Sequence, residues 1–280
     1  MVVIGGGTAG LEAACTAAEV GCNTFLLEKS NELGGLASLI SKIPAKNRLA
    51  DFPHYLMHRA EQLDNLYIFK NTEGTPENIR KFHPNIIVSS TGSAPLLPPI
   101  AGLKDRIDNE NHNIYSILGM ISHINDFPKD LEGKKVVVVG GGAVGLDVVE
   151  FFADRNADIS IVEMMDQIGR DLDPVSKNDT KTMMKKHNVH QLTKTALLEV
   201  KDSSFLVRGE GEPYELPFEY GFVCLGMRAQ GQLYQSLTEE FSSEDVEIMN
   251  IGDSQRARRI IDGTQEGRNI LTVLEQKGYL

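Results

Sequence analysis

Neither a C-x-x-C nor a C-x-x-x-x-C pair occurs in this chain; its three cysteines are Cys15, Cys22 and Cys224. That absence excludes a sequence-local redox disulfide, an iron–sulfur ligand set and a cysteine-based zinc site. The thiols read as packing residues of a protein in a reducing cytoplasm. No apolar run approaches the roughly 18 residues of a membrane span. The apolar N-terminus lacks the basic leading segment of a signal peptide. The expected location is therefore cytoplasmic, with no membrane partner. Cations are scarce too: 28 Lys and Arg stand against 39 Asp and Glu, a net charge of −11. Nucleic acids and anionic membranes need clustered cations, so neither is an expected partner. No Ser/His/Asp or Cys/His arrangement is legible. His187-x-x-His190 falls where a helix gives way to a strand with no third ligand nearby, so it reads as a solvated pair and no metal is expected.

What is present is a repeat. Val2-Val3-Ile4-Gly5-Gly6-Gly7-Thr8-Ala9-Gly10-Leu11-Glu12 closes on Glu28, and Val137-Val138-Val139-Gly140-Gly141-Gly142-Ala143-Val144-Gly145-Leu146-Asp147 closes on Glu163. Adding 135 carries Gly5, Gly7, Gly10 and Glu28 onto Gly140, Gly142, Gly145 and Glu163. In such a loop the first glycine permits a tight turn, the second lets backbone approach a pyrophosphate, and the third lets helix and strand pack closely. The helix N-terminus offers unpaired N–H groups to the phosphates, and the acid at the strand end suits ribose hydroxyls. A tight turn with no ligand is the competing reading of one copy. Two copies with the acid at the same distance argue for two bound dinucleotides, with electrons passing between them. Glu163 repels a 2′-phosphate, and Met164, Met165 and Asp166 supply no cation, so NADH is favoured over NADPH; Arg170 is the cation that could reach the site.

The order of pieces predicts an α/β fold of two Rossmann-like domains, the second inserted into the first. A strand–turn–helix–strand unit occupies residues 1–28, with helices expected over about 47–63 and from Thr75-Pro76-Glu77, and a buried strand over Asn85–Ser89 running into Ser90-Thr91-Gly92. Pro95, Pro98, Pro99 and Gly102 mark a linker. Ile114–Ile124 reads as helical, His187–Val200 and Ser204–Val207 as an antiparallel meander, and Phe222–Leu225 as a strand ending in Gly226. Glu247–Ile251 is a strand ending in Gly252-Asp253, followed by a terminal helix over about 259–277. The expected boundaries are 1–103 with 246–280 for the first domain and 104–245 for the second. Met1 leads at once into a strand, so the chain is expected to be cut from something larger.

These residues, with Glu32-Leu33-Gly34-Gly35, Ile43-Pro44-Ala45-Lys46, Gly169-Arg170-Asp171 and Arg259–Gly267, resemble the two-dinucleotide-binding flavoprotein superfamily. More closely, the chain is similar to the C-terminal reductase module of the NADH:flavin oxidoreductase group: 2,4-dienoyl-CoA reductase, enoate reductase and trimethylamine dehydrogenase. The resemblance implies three-layer ββα domains and an FAD site formed by Gly5, Gly7, Thr8, Ala9, Gly10, Glu28, Lys29, Gly34, Gly35, Lys46, Thr91, Gly92, Gly252, Asp253, Ile260 and Ile261. It implies an NAD(H) site formed by Gly140, Gly142, Ala143, Val144, Gly145, Asp147, Glu163 and Gly226. Asp147 is shorter than the Glu usual near the nicotinamide, and Glu150 reads as a helix-face residue. A turn cap is the competing reading of Asp253, and surface charge that of Arg256, Arg258 and Arg259. The implied activity is hydride transfer from NADH to FAD, with an iron–sulfur/FMN barrel outside this chain as acceptor. A non-catalytic ADP- or FAD-binding platform and a free-standing NADH oxidase or carrier reductase are the alternatives.

Overall fold

Alternation of apolar side chains along short β-branched runs builds two parallel sheets. The structure is a computed structural model that describes residues 1–279. In chain order, β1 (Val2–Ile4) turns into α1 (Thr8–Glu19), followed by β2 (Thr24–Leu27), α2 (Gly35–Ile40), a 3-10 segment Pro44–Ala50, α3 (Asp51–Glu61), β3 (Leu66–Phe69), α4 (Pro76–Arg80) and β4 (Ile86–Ser89). After β5 (Ser93–Pro95) come α5 (Leu103–Arg106), β6 (Ile114–Tyr115), α6 (Ile117–Ser122), β7 (Lys135–Val139), α7 (Ala143–Ala153), β8 (Asp158–Val162), α8 (Pro174–Lys186) and β9 (His190–Leu192). The meander β10 (Ala196–Val200), β11 (Ser204–Arg208), β12 (Tyr214–Pro217) precedes β13 (Tyr220–Val223). Last are β14 (Met227–Ala229), α9 (Gln232–Glu240), β15 (Glu247–Asn250), a 3-10 turn Gly252–Ser254, α10 (Ile260–Arg268) and α11 (Ile270–Gln276).

The first sheet has the order β15-β4-β1-β2-β3 and the second β6-β13-β7-β8-β9, all neighbours parallel. Both are Rossmann-like, and the repeat extends to register: Val3 pairs with Leu26 as Val138 pairs with Ile161. Successive side chains of β1 point to opposite faces. Val3 packs with Leu11, Leu56 and Ile270 from α1, α3 and α11, while Val2 and Ile4 pack with Ile79, Leu237 and Phe241. In the second sheet one face carries Val137, Val139 and Val223 against Phe205 and Val207 of the antiparallel meander.

The chain divides into two units, one of Met1–Lys42, Lys46–Ala94 and the residues from Arg228 on, the other of Ile43–Ala45 and Pro95–Met227. Apart from the short excursion at Ile43–Ala45, the chain passes between these units at 94/95 and 227/228, where 103/104 and 245/246 were the expected domain boundaries. Leu97, Ile100 and Leu103 pack in the core of the second unit, and Leu237 with Phe241 from and beside α9 pack in that of the first.

Several elements differ from expectation for local reasons. Ile114 and Tyr115 join β13 as a parallel edge strand, and Ser116 then caps α6 by accepting the Gly119 N–H, so the expected 114–124 helix is a strand and a shorter helix. His190–Leu192 belongs to the parallel sheet beside β8, not to the meander. The terminal helix breaks at Asn269 into α10 and α11, and α3 begins at Asp51 after a 3-10 lead-in. The edge strand β3, the helix α9 and the strand β12 had no strong pattern. Among the described residues no helix is long and apolar enough to cross a membrane.

The third glycine of each loop packs hardest. A Cβ on Gly10 would collide with the Gly5 carbonyl and the Ser90 hydroxyl, and one on Gly145 with the Gly140 carbonyl. Gly10→Ala and Gly145→Ala are each expected to destabilise the protein by about 1–3 kcal/mol through overpacking, read from denaturant unfolding curves.

Candidate functional site

The carboxyl ends of β1, β2, β4 and β15 form one edge of the first sheet, where ligands of open parallel sheets bind. Gly5 leaves β1 at φ 102°, a conformation that favours glycine. Its N–H donates to Leu27 O at 2.8 Å, and a Cβ there would meet the Ser90 carbonyl. The Ser90 hydroxyl in turn donates to Ile4 O at 2.8 Å. Gly7 then caps α1 with extended backbone and no side-chain hydrogen bond. Glu28, at the end of β2, holds the turn: Oε2 accepts the Gly6 N–H at 2.7 Å and Oε1 accepts the Ser30 N–H at 2.7 Å.

The second unit repeats these bonds. Gly140 has φ 108° and donates to Val162 O at 2.8 Å, while Glu163 accepts the Gly141 and Met165 N–H groups, each at 2.7 Å. Gly142 caps α7, again without a side-chain bond. The repeat also runs further than the motif read from sequence. Gly34 N–H donates to Gly6 O, and Gly169 N–H to Gly141 O, both at 2.7 Å. Leu33 and Ile168 lie beneath Gly6 and Gly141. Those pairs keep the offset of 135. At an offset of 134, Cys224 takes the place of Ser90 and Gly226 that of Gly92; both glycines have positive φ (74° and 103°) and open space where a Cβ would lie.

Each acid therefore has a second role that its spacing did not reveal: it clamps the glycine turn through two backbone N–H groups. A carboxylate accepts about four hydrogen bonds, so acceptor positions remain for ribose hydroxyls.

Steric contacts separate the glycines into two kinds. Gly5, Gly10, Gly140 and Gly145 are demanded by the protein's own backbone. Gly7 and Gly142 are not: a Cβ on Gly7 would meet nothing nearer than Gly35 Cα at 4.0 Å, and one on Gly142 nothing within 4 Å. Their φ values, −72° and −78°, suit any residue. Glycine at these two positions leaves room at an uncapped helix N-terminus, which fits close approach of a pyrophosphate.

Distant residues complete the first edge. Thr91 donates its hydroxyl to Gln230 O at 2.6 Å, and Gly92 O accepts the Gln230 N–H at 3.0 Å. Asp253 accepts the Ser93 hydroxyl at 2.9 Å and the Arg258 N–H at 3.0 Å, so it braces the turn before α10. Gly252 and Gly263 approach Ala9, and Gly267 approaches the Ala9 carbonyl, which seats α10 tightly on the start of α1. Thr8 and Lys46 are half-buried; Lys29, Gly35, Ile260 and Ile261 are exposed, the two isoleucines at 37% and 53%. Arg258 pairs with Glu266 and Arg259 with Asp262. In the second unit Gly142, Ala143, Arg170 and Gly226 are exposed, and Val144, Asp147 and Glu150 half-buried. His190 lies 3.5 Å from Asp158.

Helix α1 of the first unit is stapled by ions. Arg59 of α3 donates to Glu12 Oε1 at 2.9 Å, to the Thr16 hydroxyl at 3.3 Å and to both carboxylate oxygens of Glu19. Arg268 of α10 approaches Glu12 at 3.4 Å. The hydrogen bond to Glu19 is the main reason the Arg59 pKa is raised, and Glu19 is lowered in return. No sequence signal announced this network, because its members come from three separate helices.

The cysteines are free, and burial raises the Cys15 thiol to about 11 and Cys224 to about 12. Among the described residues no group of three or more His, Cys, Asp or Glu side chains could hold a metal ion.

The profile of the family described as pyridine nucleotide-disulphide oxidoreductase matches residues 1–249. The chain belongs to that family. Its chemistry is oxidoreduction with a flavin and a pyridine nucleotide, which agrees with the resemblance drawn from the motifs. The NADH oxidase of Thermoanaerobacter brockii is 28% identical over 268 residues, which is 95% of this chain and 40% of that protein. The bilirubin reductase of Mediterraneibacter gnavus is 28% identical over 276 residues, 98% of this chain and 40% of that protein. A solved 2-naphthoyl-CoA reductase complex has the same fold, with a TM-score of 0.81 at 24% identity over 96% of this chain and 39% of that one. The family member described here thus spans about 40% of the length of these relatives.

Two outcomes are expected. Arg59→Met leaves Glu12 short of its buried partner and costs about 3 kcal/mol, measured by urea unfolding. A thiol reagent at mildly alkaline pH labels Cys22 first, while Cys15 and Cys224 react only on unfolding, as mass spectrometry of the labelled chain would show.

Proposed function

We propose that the chain is an NADH-oxidising flavin module, with FAD held by the first unit and NADH by the second. The carrying observation is the pair of sterically free glycines, Gly7 and Gly142, at uncapped helix N-termini. Assignment of the two sites follows from their surroundings. The first helix start is closed in by Gly252, Gly263 and α10, which suits a resident cofactor; the second is exposed at Gly142 and Ala143, which suits one that exchanges.

When bound, the flavin supplies a hydride-accepting ring and the nicotinamide a hydride donor, and electrons then leave to an acceptor outside this chain. The chain's own residues bind and orient. Gly5, Gly7, Thr8, Ala9 and Gly10 present backbone N–H groups to the FAD pyrophosphate, with Gly34, Gly35, Lys29 and Lys46 lining its course. Glu28 accepts from the adenosine ribose while keeping Gly6 and Ser30 in place. Thr91 and Gly92 shape the flavin side, Gly252 and Asp253 serve the ribityl or phosphate region, and the α10 N-terminus at Ile260 and Ile261 brings its positive end toward reduced flavin. Gly140, Gly142, Ala143, Val144 and Gly145 present the equivalent donors to NADH, with Glu163 on the ribose and Asp147 and Gly226 toward the nicotinamide. The acceptor is an iron–sulfur/FMN barrel, a reading supported by relatives more than twice as long as this chain.

Rapid mixing of the FAD-loaded protein with NADH is expected to bleach the flavin absorbance. Full FAD occupancy without bleaching would leave only a nucleotide-binding platform, and acid release followed by chromatography would then distinguish bound FAD from ADP. Gly142→Ala is expected to weaken NADH binding about tenfold, or roughly 1.4 kcal/mol, with the unfolding midpoint and FAD content unchanged. NADH is expected to outperform NADPH in kcat/KM, and Arg170→Ala to lower the NADPH value further.

A further inference from the structure

On α3, His54 and His58 stand four residues apart, both exposed, away from the buried face made by Leu56, Arg59 and Ala60. Side chains at i and i+4 lie on one face with Cβ atoms about 5–6 Å apart, the spacing with which paired helical imidazoles share a metal ion. Among the described residues the His54 ring has no hydrogen-bond or ion-pair partner. Among the described residues His58 has one carboxylate neighbour of the kind that serves a metal ligand: its Nδ1 lies 3.6 Å from Glu61 Oε2. A carboxylate on the far nitrogen of a ligating histidine fixes ring orientation and raises its basicity. The side chain of His58 is 75% exposed, so water can complete the coordination.

We propose that His54 and His58 form a surface site for a divalent first-row transition-metal ion, with Glu61 orienting the His58 ring. Two imidazoles select borderline ions, with Cu²⁺ bound more tightly than Ni²⁺ or Zn²⁺. Mg²⁺ and Ca²⁺ prefer oxygen ligands and are not expected to bind. The site requires neither dinucleotide, so it stands or falls separately from the proposed function. It does have a structural consequence. The same turn of α3 carries Leu56 against α1 and adjoins Arg59, which staples Glu12 and Glu19. An ion bridging His54 and His58 holds that turn folded and stabilises the first unit by mass action.

The test is titration of CuCl₂ and ZnCl₂ into the full, tag-free chain by calorimetry at neutral pH, with thermal unfolding alongside. One ion per chain is expected. His54→Ala and His58→Ala should each weaken binding by about tenfold or more, as loss of one of two ligands requires, and Glu61→Gln by a smaller factor. Zn²⁺ should raise the unfolding temperature of the unmodified chain but not that of His54→Ala. All three substituted positions are exposed, so the variants fold. Absence of binding, unchanged affinity in either His variant, or loss of binding on replacing His187 and His190 instead would overturn the proposal.

Discussion

Backbone in contact with backbone at the start of α1 and of α7 is the constraint on which the structure turns. Gly10 lies against the Gly5 carbonyl, and Gly5 lies against the Ser90 carbonyl at the end of β4. Those approaches set the depth at which α1 sits on the sheet, hence where its N-terminus emerges and where Glu28 can reach Gly6. The second unit meets the same demand with Gly145, Gly140 and Cys224. A Cβ at any of these glycines forces helix and strand apart, and the clamp by the acid goes with them.

Once that contact is met, the two units diverge in how they hold the helix. In the first, Glu12, Thr16 and Glu19 bond to Arg59, and Gly252, Gly263 and Gly267 admit α10 to the helix face. In the second, Phe151 and Phe152 of α7 pack with Phe127, Tyr220 and Phe222. An ion network buried among three helices is directional, so it fixes helix rotation as well as depth. The aromatic cluster buries area with less directional demand and leaves the helix start open. That difference supports a resident cofactor on one side and an exchanging one on the other.

Much of the candidate site was legible because its signals are local. Gly5, Gly7 and Gly10 answer to one turn of chain, and Glu28 closes the next strand. Gly34 and Gly169 stand at the same offset. The clamp made by each acid was not legible, since spacing cannot tell a carboxylate bonded to ribose from one bonded to backbone. The division of the chain at 94/95 and 227/228 was not legible, because the prolines between Pro95 and Gly102 mark irregular backbone, whereas the division depends on where Leu97, Ile100 and Leu237 are buried. Ile114–Tyr115 shows the same limit: two apolar residues become strand only because β13 offers a free edge.

By itself the sequence determined two glycine loops, their acids, the parallel α/β class and the insertion of one domain in the other. These follow from steric and periodic rules acting within about thirty residues. Only the tertiary structure decided which glycines serve the protein and which leave space for a ligand, because that distinction depends on atoms such as Ser90 O and Cys224 O from strands far along the chain. It likewise decided that Asp253 braces a turn through Ser93 and Arg258, and that Arg59 reaches Glu12 across 47 positions. Such bonds join residues whose neighbours in sequence carry no trace of their partners.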